Sequence, residues 1–316
     1  MQTYLINKNG TEYAMPELLS WDICHGLGES CDYFEVNALY TPQLLTKLAS
    51  AVRFRAVDGN TTVFYGVVDE YLVNINEKGS VVTVNGRSLA ALLMDNEVTG
   101  VTYYSMTKSS MTEKYLTPFG ITDIASGSMP QVLMFSAKNG DSAWSVLKRY
   151  CLRASGAIPR FTPSGRLLMT EVTGSTVTVN ADSEVSDIRY KDERYGIISK
   201  VTVTNRSTGG SYTLNNQPFI DRGGSCRRYV YTEKFENVIS NPGNVGERMT
   251  GQQRIDESKR GKNCIDITVP RQFVCFPGDV VQFSSTALGL TGSYKVRSTH
   301  CWADSHSAGT LISLEV

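Results

Sequence analysis

Apolar and polar residues alternate in short runs at both ends of the chain, and the alternation fails in the middle. Near the start, Val52, Phe54 and Ala56 alternate with Arg53 and Arg55. Near the end, Ile265, Ile267 and Val269 alternate with Asp266 and Thr268. A period of two fits a strand with one dry face and one wet face, and a helix of 3.6 residues per turn cannot use it. Turn residues punctuate the runs. Asp58-Gly59-Asn60-Thr61 precedes a run from Thr62 to Val68 and Glu70 to Ile75, with a bend expected at Gly66. Glu77-Lys78-Gly79-Ser80 precedes Val81 to Val84, and Ser207-Thr208-Gly209-Gly210 separates Val201 and Val203 from Tyr212 and Leu214. Pro277-Gly278-Asp279 leads into Val280 to Phe283. After Gly292, the spacing predicts Tyr294, Val296, Ser298, His300 and Trp302 on one face, and Leu311 to Val316 as a last strand.

Helical patterns fall between these blocks. Ser88 is a candidate N-cap for a short helix whose Leu89, Leu92 and Leu93 form an apolar stripe, which the pattern expects to plug a sheet. Thr112 to Phe119 reads as another short helix. Asp141 is the expected cap of a longer one that places Trp144, Leu147, Cys151 and Ala154 on one face and stops at Gly156. A hairpin is expected from Ile158–Phe161 and Arg166–Thr170 around Thr162-Pro163-Ser164-Gly165. Residues 215–228 read as a polar loop. Glu247 to Lys262 has helical composition with few apolar residues. The chain is thus mainly β with a small α+β insert, and the expected domains are 1–104, 105–178 and 179–316. Two similar β modules around an insert point to a duplication.

Composition narrows the function. Among 316 residues, 31 Lys and Arg balance 31 Asp and Glu, so the net charge is zero, without the basic excess of a general nucleic-acid binder. No stretch approaches the ~20 apolar residues of a membrane span, and the N-terminus lacks the pattern of a secretory signal. Folding in the cytoplasm is the expectation. The seven cysteines (24, 31, 151, 226, 264, 275 and 301) are then expected as free thiols.

Candidate chemistry is sparse. His25, His300 and His306 are the three histidines. No Gly-x-Ser-x-Gly elbow accompanies them, and neither Cys24–His25–Cys31 nor His300–Cys301–His306 has the paired spacing of a zinc site. On a strand, His300 and Cys301 face opposite ways and cannot share an ion. Asp69-Glu70, Asp192-Glu193 and Asp256-Glu257 are the adjacent acidic pairs a glycosidase would draw on, yet adjacent carboxylates diverge on either element. Gly26-Leu27-Gly28 lacks a strand-to-helix context for dinucleotides. Arg227-Arg228 and the mixed-charge stretch Arg254 to Lys262 remain, the latter either solvated or in contact with partners. The expectation is therefore no catalytic residue, no cofactor and no metal.

Three segments, in order, resemble the baseplate hub proteins of contractile phage tails. These are the late control protein D-like and Mu-type hubs, including those of prophages and tail-like bacteriocins. The segments are Val84-Asn85-Gly86-Arg87-Ser88-Leu89-Ala90-Ala91-Leu92-Leu93-Met94-Asp95-Asn96-Glu97; Trp144-Ser145-Val146-Leu147-Lys148-Arg149 with Gly165-Arg166-Leu167; and Phe276-Pro277-Gly278-Asp279-Val280-Val281 with Gly292-Ser293-Tyr294-Lys295-Val296 and His300. The resemblance implies two tail-tube-like β-barrel domains, each with an associated helix, flanking the α+β domain. It implies a homotrimer with six similar barrels in a pseudo-sixfold ring, which adapts a hexameric tail tube to a trimeric spike and lines the channel of a contractile injection system. Implied partners are the tail tube protein, the spike, baseplate wedge or LysM-type tail proteins and a tape measure protein, with DNA only as passing cargo and no membrane embedding. The implied location is the virion tail baseplate, assembled in the host cytoplasm. Because the sequence stops at a strand, spike and lytic enzyme are expected on separate polypeptides. A tail-associated cell-wall hydrolase and a carbohydrate- or receptor-binding β protein are the rival readings.

Overall fold

The computed structural model describes residues 1–27, 31–77, 79–171, 173–206, 209–232, 237–238 and 245–316. Gly28 and parts of the turns at Glu77-Lys78-Gly79-Ser80 and Ser207-Thr208-Gly209-Gly210 lie outside them. No helix among the described residues is long and apolar enough to cross a membrane.

The first module holds β1 (Gln2–Asn7), β2 (Glu12–Ala14), β3 (Leu18–Gly26), β4 (Tyr33–Leu39), α1 (Pro42–Ser50), β5 (Ala51–Asp58), β6 (Thr61–Asn76) and β7 (Gly79–Ser88). The strands pair in the order β3-β4-β7-β6-β5-β1-β2. Alternation makes the core: Ile23, Phe34, Val36, Phe54, Phe64, Val82 and Val84 are buried together, with Phe34 stacked on Phe54 at 3.9 Å between ring centroids. The bend expected at Gly66 is a bulge at Asp69, where the register against β7 shifts. Gly66 serves a different need. A Cβ there would strike the Arg87 carbonyl, and one on Gly86 would strike that of Val67, so β6 and β7 cross as closely as only glycine permits.

Next come α2 (Ala90–Met94), β8 (Val101–Met106), α3 (Lys108–Met111), a π turn and a 3₁₀ turn to Phe119, β9 (Val132–Ala137), α4 (Ala143–Ser155), β10 (Arg160–Phe161) and β11 (Leu167–Leu168). Two caps differ from expectation. Ser142, not Asp141, caps α4 by accepting from the Ser145 amide, while the Asp141 carboxylate accepts from Lys138. Ser88 stays in β7, where its hydroxyl accepts from the Asp32 amide. Trp144, Leu147, Cys151 and Ala154 are buried as the spacing predicts. Leu89, at the N-cap of α2, and the α2 residues Ala90 and Leu93 join this α+β core. Strand β8 crosses residue 104 and pairs β9, so its hydrogen bonds tie it to the insert.

The second module holds β12 (Thr176–Asn180), α5 (Ala181–Glu184), β13 (Asp187–Asp192), then a lateral unit, then β18 (Asn263–Val269), β19 (Val280–Ser285), β20 (Leu290–Ala303) and β21 (Ala308–Glu315). The lateral unit contains β14 (Lys200–Asn205), β15 (Ser211–Asn215), α6 (Gln217–Asp221), β16 (Arg227–Thr232), β17 (Asn237–Val238) and α7 (Val245–Lys259). What reads as a loop over 215–228 thus contains α6. The mixed-charge helix α7 covers a sheet: Ile255 packs on Val201 and Val203, and a Cβ on Gly251 would collide with Leu214. Strand β12 crosses residue 178 and pairs β19 in parallel.

The order β13-β18-β21-β20-β19-β12 reproduces the β3-β4-β7-β6-β5-β1 order of the first module. A bulge at Arg297 of β20 answers the bulge at Asp69 of β6. It also overturns the expected single face. Val296 points into the second core, and past the extra residue Ser298, His300 and Trp302 point away from it while Thr299, Cys301 and Ala303 are buried.

Candidate functional site

The two modules are sewn into one sheet. The end of β20 pairs β3, from Ser298 opposite Gly26 to Ala303 opposite Trp21. The eight strands β13-β18-β21-β20-β3-β4-β7-β6 therefore form a continuous wall. Its inner side feeds both cores. The other side carries Ser20, Asp22, Glu35, Asn37, Thr268 and His300 around a shallow cleft of about 490 Å³ across the seam.

A polar cluster stands on that seam. Asp22 and Cys24 are two residues apart on β3, hence on one face, and His300 lies directly opposite Cys24. The Tyr33 hydroxyl donates to Asp22 Oδ1 at 2.7 Å, His300 Nε2 lies 2.8 Å from Asp22 Oδ2, and the Cys24 thiol is 3.8 Å from Oδ1. The ligand atoms of Asp22, Cys24 and His300 all lie within 4.8 Å of one another, the one such set of donors among the described residues. Burial pushes the Cys24 thiol up to about 12, and the Asp22 carboxylate adds to the shift. Sequence spacing missed this set because Cys24 and His300 lie at opposite ends of the chain. The only local signal is the two-residue step from Asp22 to Cys24.

The other candidates are spoken for. His25 places Nδ1 3.2 Å from Asp32 and Nε2 3.0 Å from the Val63 carbonyl, so neither ring nitrogen addresses a nucleophile. Burial raises the thiols of Cys31, Cys151 and Cys275, the reverse of an activated cysteine. Cys301 is buried behind His300, on the opposite face as expected. Each adjacent acidic pair is engaged. Asp69 binds Arg87, and Glu70 accepts from Asn85. Asp192 binds Arg222, and Glu193 binds Lys191 and Lys262. Asp256 and Glu257 face Lys259 and Arg254 along α7.

The wall ends in two open edges. Among the described residues, β13 pairs no strand but β18, and the Glu70–Ile75 part of β6 pairs only β7. Tyr71, Leu72, Ile75 and Tyr190 are exposed there. Long open edges with apolar side chains invite another strand.

No family model and no curated protein sequence matches the chain. Its fold, however, is that of tail proteins. A tail protein from Neisseria meningitidis superposes with a TM-score of 0.78 at 13% identity, over 99% of this chain and 95% of that one. The 43 kDa tail protein of prophage MuSo2 from Shewanella oneidensis gives 0.74 at 16% identity, over 99% and 98%. An Escherichia coli component of the type VI secretion system, described as structurally similar to the T4 tail proteins gp27 and gp5, gives 0.57 at 10% identity, over 95% and 73%. The chain thus has the mainly β, twin-barrel architecture shared by phage tail proteins and a secretion-system component.

Proposed function

We propose that this protein is a structural baseplate hub: three chains close a pseudo-sixfold ring that adapts a hexameric tail tube to a trimeric spike and lines the channel between them. The partners are a tube protein, a spike, wedge or LysM-type proteins and a tape measure protein, and the ring belongs to a virion tail baseplate and performs no turnover. The organisation proposed is a barrel, an α+β insert and a second barrel, divided near residues 104 and 178.

One observation carries the reading. The joint β20·β3 exists inside the chain, and both its halves recur with one edge open at the ends of the wall: β6 is the counterpart of β20, and β13 of β3. Repeating that joint between chains sets Ile75 opposite Ile188, Val73 opposite Tyr190 and Leu72 opposite Lys191. On the core side apolar residues then meet apolar residues, on the other side Leu72 meets Lys191, and the open edges vanish. The face this assembly turns to the channel bears Asp22, Glu35, Glu70, Asp187 and Asp266 beside Arg87, Arg189 and Lys191. Carboxylates predominate, so a passing polyanion is not held by phosphate contacts.

Electron microscopy of the purified chain with tube and spike proteins tests the proposal. Rings with a central opening are expected. Chains that stay monomeric with both partners present overturn it.

A further inference from the structure

The seam cluster has a use that wall-building does not require. We propose that Asp22, Cys24 and His300 form a transition-metal site, suited to Zn(II), that staples the first barrel to the second. The donors are a thiolate, an imidazole and a carboxylate, a borderline-soft set that favours zinc over calcium or magnesium, which take oxygen ligands. In a tetrahedral site with bonds of about 2.0–2.3 Å, donor atoms stand roughly 3.3–3.8 Å apart. Here they lie within 4.8 Å, so small side-chain rotations close the site.

The backbone already provides the placement. Cross-strand pairing fixes Cys24 against His300, and the β period puts Asp22 on the same face. Tyr33 donates to the Asp22 carboxylate, the outer-shell support that metal carboxylates use. His300 is partly exposed, its ring 5.4 Å from that of Trp302. The cleft gives an ion a path in and leaves its fourth position to water. Without an ion, His300 and Asp22 hold each other; on binding, both turn to the metal and the Cys24 thiol yields its proton to solvent.

The site is specific to this joint. At the corresponding positions of the proposed chain-to-chain joint, Leu72 faces Lys191, and neither offers a ligand that fits. One ion per chain follows. The metal site itself does not depend on ring assembly, since all its ligands come from one polypeptide.

Titration of the full chain with Co(II), then displacement by Zn(II), under a phosphine reductant, tests this. The expected result is one equivalent bound, with tetrahedral visible bands, a thiolate-to-cobalt charge-transfer band and a melting temperature raised by zinc. Cys24→Ser should abolish the charge-transfer band and the thermal shift. His300→Gln should weaken binding by more than about 100-fold, and Tyr33→Phe by about 10-fold, the usual effect of losing outer-shell support. Cys31→Ser and His306→Ala should change nothing. A chain that binds no cobalt, or a Cys24→Ser variant with wild-type circular dichroism that binds as tightly as wild type, overturns the proposal. Should Cys24→Ser fold poorly, undiminished binding in His300→Gln does the same.

Discussion

The two barrels share their wall and differ behind it. Four wall strands, their order and the bulges at Asp69 and Arg297 are common to both. Behind the wall, β1 pairs β5 antiparallel whereas β12 pairs β19 in parallel. Helix α1 bridges β4 to β5 in the first barrel, and a helix-free segment over 270–279 makes the same connection in the second. The second barrel alone admits a lateral unit, between β13 and β18. On the proposed assembly, the parts that would meet a neighbour keep one geometry, and the parts that meet only their own core are free to change.

That comparison can be broken at the edges first. Ile75→Asp should abolish ring formation while leaving the circular dichroism and melting of the single chain unchanged, because Ile75 is 68% exposed. A paired Val73→Cys, Tyr190→Cys variant should cross-link between chains under oxidation and yield trimers on denaturing gels; intrachain products alone would refute the register.

Within the chain, Phe54→Ala removes a fully buried ring stacked on Phe34 and should cost about 3–5 kcal/mol by chemical denaturation. Phe283→Ala should cost a similar amount in the second core. A marked inequality would show that the two barrels are not energetic equals. Gly86→Ala drives a methyl group into the Val67 carbonyl and should cost roughly 1–3 kcal/mol. The position that matches Gly86 in the second barrel is Leu314, paired with Val296 as Gly86 is with Val68, so this close glycine crossing has no counterpart there.

Electrostatic effects come last. Arg87 joins Asp69 and Asp95, and its hydrogen bond holds the Asp95 carboxyl below the usual range. These groups are about a third or more exposed, so Arg87→Ala should cost no more than about 1 kcal/mol, less in high salt. Glu193, with hydrogen bonds from Lys191 and Lys262, falls from the ordinary 4.5 to about 2. Its folded value is depressed, so its contribution is present above pH 4.5 and is lost as pH falls toward about 2. Glu193→Gln should flatten the stability profile in that window. The first barrel's matching position, Gly26, carries no charge and should show no such dependence.

Much of the fold was legible in the sequence because burial enforces period. The alternation around Phe54 and around Ile267 predicted two-faced strands, and the stripe Trp144, Leu147, Cys151, Ala154 predicted a helix face; these residues are buried as the pattern requires, except Val52 at the start of β5, which is exposed. The single-residue errors came where local chemistry has near-equivalents. Asp141 and Ser142 are both good caps, and only the backbone direction chooses between them. The face of Ser298, His300 and Trp302 was misread because a bulge adds one residue and inverts the parity of everything after it.

The seam cluster lay beyond such reasoning. By itself, the sequence determined the strands, the helical insert and the absence of any local catalytic motif, since these depend on neighbours a few residues apart. Only the tertiary structure decided that Cys24 faces His300, that β20 joins β3, and that β6 and β13 are left open. Strand pairing has no sequence range: hydrogen bonds between edges are blind to how much chain separates them, and the partner is chosen by the packing of both cores at once.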